Sequence, residues 1–140
     1  MYEQKKIIIN GKLTEWNYLI SRQEEIDKEI EELDHQMLGL RSVNFENTIK
    51  STSVANRDSK LAELITAKEK LEAERKKVFI EYVSKEKELH IDELNDEQIR
   101  ILKAVLNESS YSKAGKKIGY HRQSIYREMK KIYKILIKHI

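Results

Sequence analysis

The sequence predicts an all-α fold, in which two long, coiled-coil-like helices precede a C-terminal module of three shorter helices. The 140 residues contain no proline and four glycines, so few positions would interrupt a long helix. Apolar residues recur at alternating gaps of three and four along two long stretches, which is the spacing of a heptad seam. The last third of the chain instead has shorter apolar patterns, separated by polar caps and a glycine.

The beginning of the chain, residues 1–12, is predicted to form an N-terminal arm. Ile7, Ile8 and Ile9 precede Asn10 and Gly11, and this pattern is typical of a short strand that runs into a turn. Such an arm would pair with the arm of another subunit or pack across a helix.

The first long helix is expected to begin at Thr14, whose hydroxyl would act as the N-cap, with Glu15 in the first turn. One polar residue, Gln23, interrupts its heptad seam and is of the kind that fixes helix register. The carboxylates between the seam residues are interpreted as a solvated helix face rather than as an acid–base or cation site. The seam itself supplies the predicted oligomerisation residues, which are Trp16, Leu19, Ile26, Ile30, Leu33 and Met37.

A polar connector is predicted at residues 41–58, and a second long helix is expected from about Asp58. Three basic residues share the apolar stripe of this second helix, namely Lys68, Arg75 and Lys85. Together these segments form a predicted oligomerisation region, residues 13–93. Its helices would fold back as an antiparallel hairpin or pair between subunits. At about 1.5 Å per residue each helix is longer than a monomeric hairpin needs, so we expect a homodimer.

The third predicted region, residues 94–140, has the signals of a helix-turn-helix module. Asn95 followed by Gln98 favours a capping box at the start of its first helix. Gly119 is suited to a left-handed turn between the second helix and the third.

Apolar spacing on both sides of this turn supports the same interpretation. Ala114 and Ile118 lie four residues apart, and Ile125 and Met129 repeat that spacing after the turn. The small residues Ala114 and Gly115 would let the two helices approach closely. A helix-turn-helix normally places its second helix in the major groove of DNA.

The charge of the module favours a DNA-binding role over the alternative of an ordinary helical hairpin with a solvated basic face. Residues 110–140 contain nine Lys and Arg residues and one acidic residue, Glu128, which gives a net charge of +8. The whole chain carries +3, so the remaining residues carry −5, the difference between the two. A basic module on an acidic body is the distribution expected for phosphate contacts. The predicted DNA-binding residues are Lys113, Lys116, Lys117, His121, Arg122, Gln123, Ser124, Tyr126, Arg127, Lys130 and Lys131.

The chain contains, in order, a polar connector, a charged long helix, the segment Leu94–Leu102 and a basic helix-turn-helix. In this order it resembles the phage-encoded late-gene activators of Gram-positive bacteria, of the RinA and ArpU (autolysin regulator) type. The resemblance covers roughly residues 40–136, and the C-terminal part is similar to the fourth region of bacterial sigma factors. It implies a sequence-specific activator of a late operon in a phage or prophage, with host RNA polymerase as a further partner. The residues that it implies for promoter binding are His121, Arg122, Gln123, Tyr126 and Arg127.

Other classes of function fit the sequence less well. Because it has no glycine-rich phosphate loop and no recognisable nucleophile motif, we expect no enzyme and no cofactor. The four histidines are widely spaced, so no metal site is expected either. The lack of cysteine and of a long apolar run favours a cytoplasmic protein without a membrane partner. The expected binding to DNA would make it nucleoid-associated. Two alternatives stay open: the small terminase subunit of a phage packaging machine, and a helical adaptor whose basic end binds an acidic protein.

Overall fold

The computed structural model describes residues 2–41 and 51–140, and the side chains of residues 2–40 and 56–140. The predicted all-α class is confirmed, since the described residues form α-helices with one short 3₁₀ turn and no strand. No helix among them is long and apolar enough to span a membrane. The helices are α1 (Tyr2–Arg41), α2 (Ser51–Leu89), α3 (Asp96–Asn107), α4 (Tyr111–Ile118) and α5 (Arg122–Ile137), with the 3₁₀ turn at Ile91–Glu93 between α2 and α3.

The chain divides into two compact units that do not coincide with the predicted regions. The terminal unit comprises Met1–Ile20 and Glu81–Ile140, and the hairpin unit comprises Ser21–Ile80. The predicted boundaries at residues 13 and 94 fall inside the terminal unit, because the start of α1 and the end of α2 belong to the same core as α3 to α5.

The predicted arm is helical, and the expectation of a strand and turn at residues 7–11 is wrong. Helix α1 begins at Tyr2, twelve residues before the predicted start at Thr14. Ile9, Leu13 and Trp16 lie at helical spacing and are buried in the core of the terminal unit. That burial outweighs the strand preference of the three isoleucines. Thr14 caps nothing, and its hydroxyl donates a hydrogen bond of 2.8 Å to the carbonyl oxygen of Asn10, one turn earlier.

A glycine within this helical segment makes a direct test possible. Gly11 is exposed, and a Cβ added there would have no atom within 4 Å. Gly11→Ala should raise the free energy of unfolding by about 0.5–1 kcal/mol, because alanine loses less backbone entropy than glycine in a helix. Urea denaturation followed by circular dichroism measures the change. A loss of stability would instead favour the Asn10–Gly11 turn of the sequence pattern, where a left-handed glycine does not tolerate a side chain.

The core of the terminal unit brings together parts of all five helices. Helices α3, α4 and α5 pack on one another, and α1 and the end of α2 contribute side chains to the same cluster. Asn17 on α1 donates a hydrogen bond of 2.9 Å to the Asn107 side chain at the end of α3. The buried members of the cluster are Ile9, Leu13, Trp16, Leu89, Ile91, Leu94, Ile101, Leu102, Ile125, Met129, Ile132, Tyr133 and Leu136.

In the hairpin unit the two long helices pair within one chain and run antiparallel. Asp34 meets Lys68 at 2.7 Å and Asp27 meets Arg75 at 2.8 Å, so the residue numbers fall on α1 as they rise on α2. Gln23, the polar interruption in the first seam, accepts a hydrogen bond of 2.8 Å from the Arg75 guanidinium. The polar interruptions of the two stripes therefore meet, which fixes the register of the hairpin.

The connector predicted at residues 41–58 is shorter than expected at its C-terminal side. Helix α2 begins at Ser51, so the expected start near Asp58 is wrong by seven residues. Residues 42–50 of the predicted connector lie outside the described residues.

Candidate nucleic-acid interface

Helix α4 is capped at both ends, and a tight turn joins it to α5. The Ser110 hydroxyl caps α4 by accepting a hydrogen bond of 3.2 Å from the backbone N–H of Lys113. Gly119 ends α4 in the left-handed region with φ of 80°, as the sequence predicts. The Tyr120 backbone N–H then donates a 2.8 Å hydrogen bond to the carbonyl oxygen of Gly115, which closes the turn.

The contact at Gly115 is close enough to exclude any side chain. A Cβ built on this residue would lie 2.3 Å from the Tyr120 carbonyl oxygen. Its neighbour Ala114 is fully buried. The expectation that these two small residues allow a close approach is confirmed, and it is the backbone entering α5 that approaches.

Helix α5 separates an apolar face from a basic and polar one. Ile125 and Met129 are buried as predicted, and Ile132, Tyr133 and Leu136 continue the same face into the core. The opposite face leaves exposed, at the beginning of the helix, the side chains of Arg122, Gln123, Tyr126, Arg127 and Lys130.

Several basic side chains of the turn region are not neutralised by a neighbouring carboxylate. Within the described part of the chain, Lys116, Arg122 and Arg127 form no ion pair, whereas Lys117 meets Glu108 at 3.4 Å and Lys131 meets Glu128 at 3.3 Å. Uncompensated cations on a convex helix face are available to phosphate oxygens.

The predicted DNA-binding residues occupy one stretch of the terminal unit. Lys113, Lys116 and Lys117 lie on α4, His121 lies just before α5, and the others lie on the first ten residues of α5. All are exposed except Ser124, which is half-buried and accepts a 3.5 Å hydrogen bond from Arg127.

The beginning of α1 adds side chains to this region that sequence reasoning missed. Lys6 lies over the ring of Tyr133 at 5.0 Å, and Lys130 lies over the ring of Tyr126 at 5.3 Å. Tyr111 packs beside Tyr126, with ring centroids 6.3 Å apart. Burial raises the pKa of Tyr133, and its hydroxyl donates a hydrogen bond to the Asn10 side chain. No signal at residues 1–12 indicated this, because the segment was interpreted as a strand.

The far side of the turn is held by contacts with α3. The Tyr120 hydroxyl donates a hydrogen bond to Glu97, and this carboxylate raises the pKa of Tyr120. The Arg100 guanidinium donates a 3.2 Å hydrogen bond to the Ile118 carbonyl oxygen at the end of α4. These contacts tie α3 to the turn and orient α5 relative to it.

The predicted oligomerisation residues are largely covered by the chain itself. Trp16 and Leu19 are buried in the terminal unit, and Ile26 and Met37 are buried in the hairpin unit, while Ile30 and Leu33 are half-buried. Their apolar character is therefore satisfied mainly by intrachain packing and gives no separate indication of a second subunit.

The structure also brings together two of the four histidines, contrary to the reasoning that their spacing was too wide. His90, just after α2, and His139, just after α5, have ring centroids 3.8 Å apart. Glu93 lies beside them and meets His139 Nε2 at 2.6 Å. Such long-range proximity leaves no trace in ligand-spacing motifs.

Comparison of the chain with protein-family models, with curated proteins and with solved structures gave no match.

Proposed function

We propose that the protein is a sequence-specific DNA-binding transcription regulator that inserts the beginning of α5 into the major groove. The observation that carries the proposal is the two-sided character of α5. Its apolar side is anchored in the core, and its other side exposes Arg122, Gln123, Tyr126 and Arg127 in a segment with a net charge of +8 over residues 110–140. Arginine and glutamine are the side chains that read guanine and adenine edges most directly.

The two helices would have separate roles on the duplex. The exposed lysines of α4 would contact phosphates and supply affinity without sequence preference, because charge neutralisation releases counterions. The start of α5 would read bases. The first backbone N–H groups of a helix lack partners within it, and the His121 side chain makes no capping hydrogen bond to them, so a phosphate oxygen can accept there.

The biological setting follows from the resemblance to phage late-gene activators. On that basis the DNA is a promoter of a late operon, and host RNA polymerase is a further partner in the bacterial cytoplasm. A homodimer would carry two α5 helices and read an inverted repeat with half-sites about 34 Å apart or a multiple of it.

Selection of bound fragments from a random or genomic DNA pool tests the proposal. We expect enrichment of a shared motif at physiological salt, with affinity that falls steeply as salt rises. Sedimentation of the free protein distinguishes a transcription activator from a small terminase subunit. A dimer fits an activator, whereas a ring of eight or more chains fits a small terminase subunit. Recovery of fragments without any common motif would contradict sequence-specific binding.

The contrast between Arg127 and Lys116 tests the division of roles. Arg127→Ala should cost about 1–3 kcal/mol on the selected site and relax its preference, because a base-edge contact specifies sequence. Lys116→Ala should weaken all DNA equally and reduce the slope of log K against log salt by about one. Fluorescence anisotropy on selected and scrambled duplexes measures both.

A matched control is an exposed lysine of the hairpin unit, Lys76 on α2. Lys76→Ala removes the same charge from the chain but should leave affinity and salt slope unchanged. If Lys76→Ala weakens binding as much as Lys116→Ala, the effect comes from net charge and not from a contact by α4.

A further inference from the structure

A cluster of two histidines and one glutamate lies in the terminal unit, apart from the α4–α5 turn. His90 follows α2, Glu93 ends the 3₁₀ turn, and His139 follows α5. One possible ligand atom from each residue can be chosen so that all three lie within 4.8 Å of one another.

The donor set and its spacing fit a metal of the zinc class. Zinc is bound by imidazole nitrogen and carboxylate oxygen at about 2.0–2.2 Å, and two histidines with one glutamate is an established set of ligands for it. Tetrahedral ligands at that range are roughly 3.4 Å apart. The pair formed by Glu93 and His139 at 2.6 Å would open to reach this separation. The stacked rings of His90 and His139 would rotate so that one nitrogen of each faces the ion.

Both side chains of that pair can make such an adjustment because they are partly exposed. The His139 side chain retains 28% of its accessible surface and that of Glu93 retains 41%. This exposure also leaves room for solvent as a fourth ligand, as in zinc sites with three protein ligands.

The backbone of His90 determines where its imidazole lies. His90 adopts φ of 57° and is the non-glycine residue with positive φ in the described chain. Its N–H donates a 3.2 Å hydrogen bond to the Lys87 carbonyl oxygen, so it ends α2 at a position where glycine is usual. Most side chains are disfavoured at such a position, and histidine is among the residues that adopt it more readily. Here this backbone conformation places the imidazole against His139.

We propose that His90, Glu93 and His139 bind one divalent metal ion of the zinc class. Bound metal would join the 3₁₀ turn to the segment that follows α5, two parts of the terminal unit separated by 46 residues between Glu93 and His139. Because the ion binds only when these segments are folded together, it stabilises the folded form by mass action. The site is separate from the proposed DNA surface, and its existence does not depend on DNA binding.

Titration of zinc ions into the full, untagged chain after treatment with a chelator tests the site. Calorimetry should show one ion per chain, and saturating zinc should raise the melting temperature by several degrees. His139→Gln and Glu93→Gln should each lower the affinity at least about tenfold. Absence of binding in the parent chain, or equal binding by the parent and the His139→Gln variant, would overturn the proposal.

The variant His90→Gly tests whether His90 is a metal ligand or only a packing residue. Glycine relieves the positive φ, so the metal-free variant should melt at or above the temperature of the parent. It should nevertheless lose zinc binding and the zinc-dependent rise. His121→Gln is the matched control, because His121 is exposed before α5 and outside the cluster. If His121→Gln removes zinc binding while His90→Gly retains it, the ion is held elsewhere and the proposal fails.

Discussion

Gly115→Ala is expected to lower the free energy of unfolding by about 1–3 kcal/mol, the range of an overpacked core, or by more if the backbone cannot shift. The added Cβ would lie 2.3 Å from the Tyr120 carbonyl oxygen, and a backbone atom cannot move aside as a flexible side chain can. Trp16, the single tryptophan, is buried in the same core, so its fluorescence during urea denaturation reports directly on this unit.

Gly119→Ala is the matched control for this change. It lies at the end of the same helix and has no atom within 4 Å of an added Cβ, but its φ is 80°. Its expected cost is therefore only the left-handed strain of about 1–2 kcal/mol, without a clash. If Gly115→Ala is as stable as the parent chain while Gly119→Ala is destabilised, the backbone of Tyr120 does not approach Gly115 as closely as described.

DNA binding gives a second readout of the same contact. Tyr120 leads directly into α5, so a shift that relieves the clash at Gly115 would move the start of the proposed recognition helix. At temperatures where Gly115→Ala is still folded, it should bind the selected DNA more weakly than Gly119→Ala does. Equal affinities would mean that α5 keeps its position when the turn opens.

The local parts of the proposed interface could be predicted from the sequence. The capping box of α3 is confirmed, since the Asn95 side chain accepts from the Gln98 N–H at 2.8 Å and the Gln98 side chain accepts from the Asn95 N–H at 3.0 Å. The turn glycine and the buried face of α5 are confirmed as well. These features depend on residues within one or two helical turns, so a sequence pattern is enough to specify them.

Features that depend on distant residues could not be predicted in this way. The first turns of α1 are helical because Ile9 packs on a core built from residues 89–136, and nothing within residues 1–12 reveals that partner. For the same reason the His90 and His139 pair was missed. Local strand preference decided the prediction for the arm, and tertiary packing overrides it.

Length alone does not decide how the long helices pair. The length of the helices favours a second subunit, whereas ion pairs between the two helices lie within one chain in each of the two units. Glu15 meets Lys85 at 2.9 Å in the terminal unit, and Arg22 meets Glu74 at 2.8 Å in the hairpin unit. Glu74 and Glu25 raise the pKa of Arg22, consistent with a guanidinium shared between carboxylates. The homodimer stays a prediction that must be tested separately from this pairing.

Ile26→Asp tests the intrachain pairing, and it should lower the free energy of unfolding by about 3–5 kcal/mol, with loss of helicity. Ile26 is 0% exposed in the hairpin unit, so the variant loses a fully buried apolar side chain and places a carboxylate in an apolar contact. Circular dichroism during urea denaturation measures the stability, and sedimentation measures the mass. Because the seam is covered within one chain, we expect the variant to be destabilised while the folded fraction keeps the mass of the parent.

Leu38→Asp is the control on the same helix, since Leu38 is 60% exposed and the same change should cost no more than about 0.5 kcal/mol. Ile30 is half-buried, so Ile30→Asp should fall between the two. The order of the three effects follows burial within one chain. If Ile30→Asp or Leu38→Asp instead halves the mass and leaves helicity and stability intact, those side chains contact a second subunit. The exposed side of α1 would then form the dimer interface, while the buried side packs within the chain.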